Sequence, residues 1–295
     1  MMKITKAIIT AAGFGSRFLP YSKSIQKEML PILNKPMIDY IVDDCVKAGI
    51  SEIIFIVNKK TRSQIELYYS DDIELDNYLV RMGKLEKRAL VGGLSKKAKF
   101  TYIEQDNDGE YGTAVPLKLS RKYVENEDAF LLLMGDDFIY NQDGSSEIQR
   151  MIEEFEFNHA DALVGATRVP LEIINKYGAI KYIEDKAKLF LKGVIEKPEP
   201  SKAPSNLVCT SKYIFKPSVY GYIEKQTVNK KFNEWFLTDT LCLMCENERL
   251  LVYESKGKYL DTGYILGWLL ANITVALGSD SLRDELLKEL KTYLV

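Results

Sequence analysis

Small residues and fixed positive charges stand close together near the beginning of the chain. Gly13-Phe14-Gly15 follows an apolar run at 6–10, Arg17 comes next, and Lys27 lies ten residues further on. Glycines allow a sharp turn and a close approach to a ligand, because they carry no Cβ. Backbone N–H groups exposed in such a turn form a nest for an anion. A strand, a small-residue turn, a guanidinium and an ammonium in this order suit the binding of a polyphosphate.

Two common phosphate-binding motifs do not match this stretch. The G-x-x-x-x-G-K-[ST] loop of P-loop proteins is absent. A dinucleotide fingerprint requires a third glycine, and Phe18 stands at that position. Taken alone, the two glycines also fit an ordinary turn from a strand into a loop.

Two neighbouring carboxylates follow another apolar run. Phe130–Met134 reads as a buried strand and is followed by Gly135, Asp136 and Asp137. The carboxyl ends of parallel strands are where α/β sheets bind ligands, and Mg²⁺ prefers carboxylate and phosphate oxygens. The pair therefore suggests a magnesium site, although two aspartates are also common in plain turns.

Three further polar side chains could recognise a nucleotide or a sugar. The amide of Gln105 offers a donor and an acceptor, which suits the edge of a pyrimidine. Glu196 can accept hydrogen bonds from sugar hydroxyls, and Lys197 can neutralise a phosphate. The bland alternatives are a polar loop at the start of a helix and a surface ion pair before Pro198.

Composition limits the classes of protein. Of 295 residues, 28% are charged and 46% are hydrophobic, as in ordinary globular proteins, and the net charge of −2 argues against a general nucleic-acid binder. No signal peptide and no apolar run of membrane-spanning length is visible, so we expect no membrane partner. The four cysteines lack a disulfide-scaffold pattern, which favours a reduced, cytoplasmic protein.

Metal and nucleophile chemistry based on cysteine or histidine is not indicated. Cys242 and Cys245 have no second pair or nearby histidine, so we interpret them as packing residues. His159 is the only histidine in the sequence, and no nucleophile or carboxylate is arranged beside it.

The elements that must position these residues follow from hydrophobic periodicity. A strand at 6–10, a helix at 38–46 and a strand at 53–57 form a βαβ unit, which predicts a parallel sheet with right-handed crossovers. Asn34 is predicted to cap the first helix, with Pro36 in its first turn. Further helices are predicted at 63–70, 75–88, 146–157, 237–246, 265–277 and 281–293, further strands at 100–104, 162–168, 207–215 and 250–255, and a hairpin from 177–183 and 189–195.

The longer string around the glycines resembles a family signature. Residues 11–31, AAGFGSRFLPYSKSIQKEMLP, match the pattern [AG]-[AG]-G-x-G-[ST]-R-[LFM]-x-P…K-[EQ]-[ML]-L-P of nucleoside-diphosphate-sugar pyrophosphorylases. Within that superfamily, KEMLP and the following NKPM are most similar to bacterial uridylyltransferases that use UTP and glucose 1-phosphate.

Further motifs occur in the family's order, so the resemblance runs from about residue 3 to about residue 276. They are the loop at 105–115, the Gly-Asp pair at 135–136, Tyr-Gly at 177–178, Glu-Lys-Pro at 196–198, Ala-Pro-Ser-Asn-Leu at 203–207, E-x-x-L-T-D at 234–239 and G-K-x-x-D-x-G at 257–263.

The resemblance implies a fold and a domain organisation. The fold is α/β, a Rossmann-like mixed, mostly parallel central sheet flanked by helices, of the nucleotide-diphospho-sugar transferase type. An inserted β-hairpin and a C-terminal helical tail complete it. Residues 1–295 would form a single nucleotidyltransferase domain, with 1–262 as the catalytic core and 263–295 as a possible oligomer arm. A homodimer or homotetramer is expected.

The resemblance also implies residue roles. Arg17, Lys27, Asp136 and Lys197 would be catalytic, and Asp136 and Asp261 would bind Mg²⁺. The nucleotide would be bound by Ala12, Gly13, Gly15, Ser16, Arg17, Glu28, Gln105 and Gly112. The sugar phosphate would be bound by Asp137, Gly178, Glu196 and Lys197, with Asp137 either facing the sugar or supporting the metal site.

The implied reaction joins glucose 1-phosphate to UTP and releases pyrophosphate. A phosphate oxygen of the sugar would attack the α-phosphorus in line with the leaving group. A sugar phosphate with a second pKa near ~6 is largely ionised at neutral pH, so no general base is required. The task is to gather two anions and to stabilise the charge of the transition state.

Two departures from the family pattern keep alternatives open. The loop at 105–115 resembles the loop that reads the nucleobase in the family, but Glu110 stands where that loop has a glycine, and Gly109 precedes it. In the E-x-x-L-T-D motif at 234–239, Phe236 replaces the glutamine that is usual in the family. They bear on nucleobase preference and on the polarity of the pocket. The alternatives are a thymidylyltransferase for glucose 1-phosphate and a regulatory paralogue that binds a nucleotide sugar. An NAD-dependent oxidoreductase is disfavoured by Phe18.

Overall fold

The computed structural model describes residues 3–106, 109–230 and 232–293. The strands are β1 (Lys6–Ala11), β2 (Pro31–Ile32), β3 (Lys35–Pro36), β4 (Glu52–Val57), β5 (Lys99–Glu104), β6 (Phe130–Met134), β7 (Asp137–Tyr140), β8 (Ala162–Arg168), β9 (Gly178–Asp185), β10 (Lys188–Glu196), β11 (Leu207–Phe215), β12 (Leu250–Glu254) and β13 (Lys258–Asp261). The helices are α1 (Met37–Lys47), α2 (Lys59–Tyr68), α3 (Ile73–Arg81), α4 (Leu85–Val91), α5 (Val115–Val124), α6 (Glu147–Phe157), α7 (Val219–Ile223), α8 (Leu237–Met244), α9 (Ile265–Gly278) and α10 (Arg283–Tyr293).

One mixed sheet organises the described residues, in the order β5-β4-β1-β6-β11-β8-β12-β10-β9. The first four strands are parallel, and β8 and β12 form another parallel pair. The strand β11 runs antiparallel to both of its neighbours, as does β10. The mixed character is as predicted, but the prediction of a mostly parallel sheet is wrong, because half of the neighbouring pairs are antiparallel.

Helices cover both faces of the sheet, as a sheet with two apolar faces requires. The core on one face includes residues of α1, α2, α6 and α9, among them Ile41, Phe155 and Ala271. The core on the other face includes residues of α5, α7 and α8, among them Leu117 and Leu241. Because β5, β4, β1 and β6 are parallel neighbours, their carboxyl ends lie side by side at one edge of the sheet.

A small antiparallel sheet of β7 and β13 stands at that edge. Asp137 pairs with Asp261, and Phe138 pairs with Leu260. The backbone oxygen of Asp136 also accepts hydrogen bonds from the N–H and the hydroxyl of Thr262. This ladder joins two segments that are more than a hundred residues apart in the sequence, and both carry acidic side chains.

Three local predictions need correction. The segment 75–88 is not one helix, because Gly83 with φ 65° separates α3 from α4. Asn34 does not cap α1: Pro36 precedes the helix, and the chain from 31 to 36 forms the β2–β3 pair. The hairpin of β9 and β10 does form, but it belongs to the main sheet through the pairing of β10 with β12.

None of the described helices combines the length and the apolar character that crossing a lipid bilayer requires.

Candidate functional site

The loop after β1 wraps around Lys27. An ideal Cβ on Gly13 would lie 3.7 Å from Lys27 Nζ, and one on Gly15 would lie 3.3 Å from Lys27 Cβ. Gly15 also has φ 63°, a conformation that side chains with a Cβ rarely adopt. Position 15 therefore requires a glycine, whereas a Cβ on Gly13 would make an ordinary contact with Lys27. Ser16 and Arg17 begin the exposed 3₁₀ turn that follows.

Buried amides that the sequence analysis did not single out brace this loop. Asn58 caps α2 by accepting a hydrogen bond from Thr61 N at 2.9 Å, and its Nδ2 donates to Ala12 O at 3.1 Å. Gln26, which is 1% exposed, donates its backbone N–H to Gln64 Oε1 at 3.0 Å. The signal that could have revealed Asn58 is its place at the end of a strand and the start of a helix.

Lys27 lies between two carboxylates. Its Nζ is 2.5 Å from Asp136 Oδ2 and 3.7 Å from Glu28 Oε1, and its side chain is 17% exposed. Burial alone would lower the pKa of Lys27, but the charges of Asp136 and Glu28 outweigh burial and raise it above the ordinary value for lysine. The ammonium is therefore a permanent positive charge at neutral pH.

The pKa values of the two carboxyl groups beside Lys27 shift in opposite directions. Burial raises the pKa of Glu28 to about 7, although Lys27 opposes this shift. Burial also acts on Asp136, but Lys27 overcomes it, and the pKa of Asp136 stays below its ordinary value. Asp136 is thus held as an anion, which is what a metal ligand requires.

Asp261 joins Asp136 at one small space beside Gly263. An ideal Cβ on Gly263 would lie 3.2 Å from Asp136 Oδ2, 3.2 Å from Asp261 Oδ1 and 3.7 Å from Arg17 Nη1. Arg17 Nη1 lies 3.5 Å from Gly263 O. Two carboxylate oxygens that converge in this way fit Mg²⁺, which commonly takes one or two carboxylates and completes its shell with phosphates and water. In the described parts of the chain, no group of three or more acidic, His or Cys side chains could hold a metal ion by itself.

Asp137, next to Asp136, points into the protein. It is 4% exposed, forms a salt bridge with Lys212 and accepts a hydrogen bond from the Tyr259 hydroxyl at 3.2 Å. Burial raises its pKa to about 6 despite the charge of Lys212. Of the two roles left open for Asp137, this environment favours support of the site over contact with the sugar. Lys212 could not be identified from the sequence, because a single lysine in an apolar strand carries no motif.

A second group of predicted residues lies at the end of the β9–β10 hairpin. A Cβ on Gly178 would be crowded, at 3.0 Å from Val194 Cγ1 and 3.3 Å from Glu196 Oε2. Lys197 Nζ lies 3.8 Å from Glu196 Oε1 and 6.0 Å from the centroid of the Phe236 ring. The Lys197 side chain is 45% exposed, so it is free to meet a ligand.

Tyr177 connects the two groups. Its hydroxyl donates to Asp261 Oδ2 at 3.2 Å, and its backbone oxygen accepts the N–H of Lys197 at 3.0 Å. We call Gly13, Gly15, Arg17, Lys27, Glu28, Asp136 and Asp261 the first cluster, and Gly178, Glu196 and Lys197 the second cluster. The predicted catalytic and metal-binding residues thus form one connected region.

The predicted base-reading residue Gln105 lies at the same edge of the main sheet as the first cluster, two strands away from β1. Gln105 follows β5, is 8% exposed and donates its backbone N–H to Val57 O at 2.8 Å. Its Oε1 has no hydrogen-bond partner among the described residues. An orphaned buried amide oxygen is unusual in a folded protein and fits a place where a ligand is recognised. The predicted segment also includes residues 107 and 108, which lie outside the described residues.

Gly112 lies against the backbone of Trp235, just before α8 begins. It has φ 129°, and an ideal Cβ would lie 2.3 Å from Trp235 O. Trp235 N donates to Tyr111 O at 2.8 Å, and Ala114 N donates to Trp235 O at 2.9 Å. The loop after β5 is therefore fastened to the segment that leads into α8.

Glu110 and Phe236, the two residues that depart from the family pattern, both contact other side chains of the described chain. The Glu110 carboxylate forms a salt bridge with Lys118 at 2.6 Å, and Lys118 lies over the Trp235 ring at 4.2 Å. Phe236 is 4% exposed, and its backbone oxygen accepts a hydrogen bond from Gln226 Nε2 at 2.8 Å. A buried glutamine side chain thus stands next to the residue that replaces the usual one.

An open depression of about 720 Å³ lies elsewhere, lined by Glu153, Phe157, His159 and Lys216 among others. Its lining also includes Glu156, but Lys216 is already paired with Asp161 at 2.9 Å, and none of the predicted site residues lines the depression. The chemistry-bearing residues converge at the strand ends and not there, so we place the candidate site at the strand ends.

Comparison with known proteins identifies the family to which this geometry corresponds. The sequence model of the Nucleotidyl transferase family matches residues 6–276. The UTP–glucose-1-phosphate uridylyltransferase of Bacillus subtilis is 36% identical over 287 residues, which cover 97% of this chain and 96% of that protein. UTP–glucose-1-phosphate uridylyltransferase 2 of Streptococcus pyogenes is 35% identical over 100% of this chain and 96% of its own.

Solved structures agree with the sequence comparisons. A UTP-bound UGPase from Acinetobacter baumannii superimposes with a TM-score of 0.84 at 27% identity, covering 99% of this chain and 100% of that one. A UDP-glucose pyrophosphorylase complexed with UDP-glucose gives a TM-score of 0.81 at 28% identity, over 92% of this chain and 98% of that one.

Proposed function

The chain belongs to the nucleotidyl transferase family, and we propose that it makes UDP-glucose and pyrophosphate from UTP and glucose 1-phosphate. The observation that carries this proposal is the convergence of Arg17, Lys27, Asp136 and Asp261 at the ends of the parallel strands. It is supported by relatives of matching length that are named for the same reaction.

The first cluster binds the triphosphate. The glycine loop offers backbone N–H groups at close range, because neither Gly13 nor Gly15 presents a Cβ. Arg17 is exposed at the end of this loop and supplies a guanidinium to phosphate oxygens. The buried amides of Asn58 and Gln26 hold the loop in place before the ligand arrives, which lowers the cost of ordering it.

Asp136 and Asp261 hold Mg²⁺, and Arg17 limits the repulsion between these carboxylates. When bound, such an ion neutralises phosphate charge and orients the two reacting groups. The convergence of the two carboxylate oxygens beside Gly263 supports this assignment.

The second cluster binds glucose 1-phosphate. Lys197 neutralises the phosphate, and Glu196 accepts hydrogen bonds from sugar hydroxyls, whereas a side chain at Gly178 would crowd the Glu196 carboxylate. The contacts of Tyr177 with Asp261 and Lys197 set the distance between the sugar phosphate and the nucleotide. Positioning two anions for in-line attack is a large part of the catalytic effect.

Lys27 stabilises the charge that develops on the leaving pyrophosphate. It acts as a fixed cation and not as an acid, because its pKa is raised above the ordinary value for lysine. The attacking phosphate oxygen is already ionised at neutral pH, so the chain needs no general base. This agrees with the absence of a histidine from both clusters.

A panel of pyrophosphate-release assays tests the proposal. UTP, dTTP, ATP and GTP are each combined with glucose 1-phosphate, galactose 1-phosphate, mannose 1-phosphate and N-acetylglucosamine 1-phosphate, with Mg²⁺ present. We expect the highest kcat/KM for UTP with glucose 1-phosphate. A higher kcat/KM with dTTP would establish a thymidylyltransferase instead. Binding of UDP-glucose without turnover in any combination would establish a regulatory paralogue.

The C-terminal helices form the arm that joins copies of the chain. The helix α9 exposes Ile265, Leu266, Leu269 and Leu270, an apolar surface larger than single scattered residues would give. We expect a homodimer or homotetramer in analytical ultracentrifugation, and the double change Leu266→Glu with Leu270→Glu should shift it to a monomer. An unchanged mass would place the interface elsewhere. A single nucleotidyltransferase domain over 1–295, with its catalytic core at 1–262, and a cytoplasmic location complete this proposal.

A further inference from the structure

Lys212 is a buried ammonium that neither motif nor family comparison assigns to the site. It lies on β11 with 3% of its surface exposed and contacts Asp137 twice, through the carboxylate and through the backbone oxygen at 3.1 Å. An ammonium is costly to bury unless a carboxylate and hydrogen bonds compensate it. The protein therefore maintains this pair against a substantial desolvation cost, beside the proposed metal ligands.

The backbone of β11 is distorted where it presents Lys212. The register between β11 and β8 shifts between Cys209 and Tyr213, and Ser211 adopts φ 57°. Such bulges redirect a side chain and often occur next to active sites. A left-handed conformation at a residue other than glycine costs free energy and persists only where the surrounding structure holds it.

Lys212 connects the main sheet to the small β7–β13 sheet. In the main sheet Lys212 pairs with Leu133 on β6, and the chain then leads from β6 through Asp136 to Asp137. On the other side of Asp137, the carboxylate accepts the Tyr259 hydroxyl at 3.2 Å, and Tyr259 belongs to β13. Asp137 is thus held from both sheets at once.

One proposed metal ligand ends a strand of the small sheet, and the other directly precedes one. Asp261 ends β13 and pairs with Asp137 in the ladder, whereas Asp136 immediately precedes β7. A rotation or shift of β7 relative to the main sheet would therefore change the position of Asp136 relative to Lys27. It would also change the direction in which Asp136 and Asp261 face the space beside Gly263.

We propose that Lys212 is a positioning residue, which fixes Asp137 and thereby sets the geometry of the Asp136–Asp261 pair. The inference rests on the proposed function only for the identity of these two ligands. Residues that support metal ligands typically change metal affinity by about ten- to a hundredfold when they are replaced. We expect an effect of that size although Lys212 touches neither ligand nor substrate.

Four variants separate positioning from mere stability. Lys212→Met leaves the Asp137 carboxylate buried without its cation, so it also tests tolerance of an unpaired charge. Lys212→Met with Asp137→Asn removes one positive and one negative charge, keeps the local net charge and leaves no buried ion. Tyr259→Phe removes only the hydroxyl bond to Asp137. Lys216→Met is the matched control, because Lys216 follows β11 and also pairs with an aspartate, Asp161 at 2.9 Å.

The readout is Mn²⁺ binding to the protein alone, followed by the EPR signal of the free ion, together with melting temperature and steady-state kinetics. We expect the double variant to melt close to wild type yet bind Mn²⁺ about ten- to a hundredfold more weakly, with a matching fall in kcat. Tyr259→Phe should show a smaller loss, and Lys216→Met none. If Lys212→Met does not fold, the double variant still decides.

A double variant with wild-type Mn²⁺ affinity would overturn the inference and reduce Lys212–Asp137 to a structural pair. A wild-type protein that makes UDP-glucose would leave the proposed function intact in that case. Conversely, failure of the wild type to make any nucleotide sugar would overturn the proposed function, whereas the Mn²⁺ comparison would still test the role of Lys212.

Discussion

Lys27, at the centre of the first cluster, is an enclosed cation, whereas Lys197 in the second cluster is an open one. Lys27 has a 17% exposed side chain and contacts Asp136 at 2.5 Å, within a loop that buried amides brace. Lys197 is 45% exposed, and its ammonium reaches Glu196 only at 3.8 Å. The nucleotide end is thus organised before binding, whereas the sugar end is completed by its ligand.

This difference follows from where each cluster lies in the fold. The first cluster stands at the ends of neighbouring parallel strands, whose backbones are fixed by the sheet on both sides. The second stands at the end of β10, where Lys197 leaves the strand with φ 46°. Preorganised charges contribute more to transition-state stabilisation than charges that must be ordered during the reaction. We therefore expect mutations in the first cluster to lower kcat and mutations in the second to raise KM.

The largest expected effect is that of Asp136→Asn. The change removes the anion that the proposed metal site needs and leaves Lys27 without its closest partner. We expect kcat to fall about a thousandfold, or about 4 kcal/mol of transition-state stabilisation, in pyrophosphate-release assays. Asp143→Asn, an exposed turn residue, is the control. An Asp136→Asn protein with near-normal kcat would remove the first cluster from catalysis.

Burying the Glu28 carboxylate costs folding stability, and this cost depends on pH. Burial raises the pKa of Glu28 to about 7 from 4.5. The folded state therefore binds a proton more tightly than the unfolded chain. The resulting stability is present below about pH 4.5 and is lost as the pH rises towards 7.

Glu28→Gln should remove this pH dependence. Relative to wild type, the variant should gain on the order of 3 kcal/mol in unfolding free energy between pH 4.5 and pH 8, measured by urea denaturation without metal. Glu199→Gln, on the surface, should show no such gain. A constant difference between Glu28→Gln and wild type across this range would mean that Glu28 is ionised at little cost, and the contrast between the clusters would weaken.

Gly112→Ala tests whether binding of the nucleotide and binding of the sugar phosphate are independent of each other. A Cβ would lie 2.3 Å from Trp235 O, and the next residue, Phe236, lies under Lys197. We expect a loss of about 2 kcal/mol in unfolding free energy and higher KM values for both substrates. Gly221→Ala, where a Cβ meets open space, is the control. A rise in KM for UTP alone would show that the Trp235 contact does not reach the second cluster.

The sequence allowed the first cluster to be predicted better than its supports. Arg17, Lys27 and Asp136 follow apolar strands in recognisable motifs, and parallel strands place such residues at one edge. Lys212 could not be found in this way, because its role depends on a bulge in β11 and on the antiparallel direction of β11 relative to β6 and β8. Likewise, helical periodicity ran through Gly83, and only the conformation of that glycine separates α3 from α4.

The smallest expected effect, that of Lys197→Met, bears most directly on the open cluster. The charge of Lys197 is partly in water, so its loss is moderated by solvent. We expect KM for glucose 1-phosphate to rise about tenfold, equivalent to about 1.4 kcal/mol, with KM for UTP unchanged. Lys202→Met, on the nearby surface, is the control for loss of one positive charge. If Lys197→Met instead lowered kcat a hundredfold at saturating sugar phosphate, its ammonium would act in the transition state. The open cluster would then become as well organised as the enclosed one once the substrate is bound.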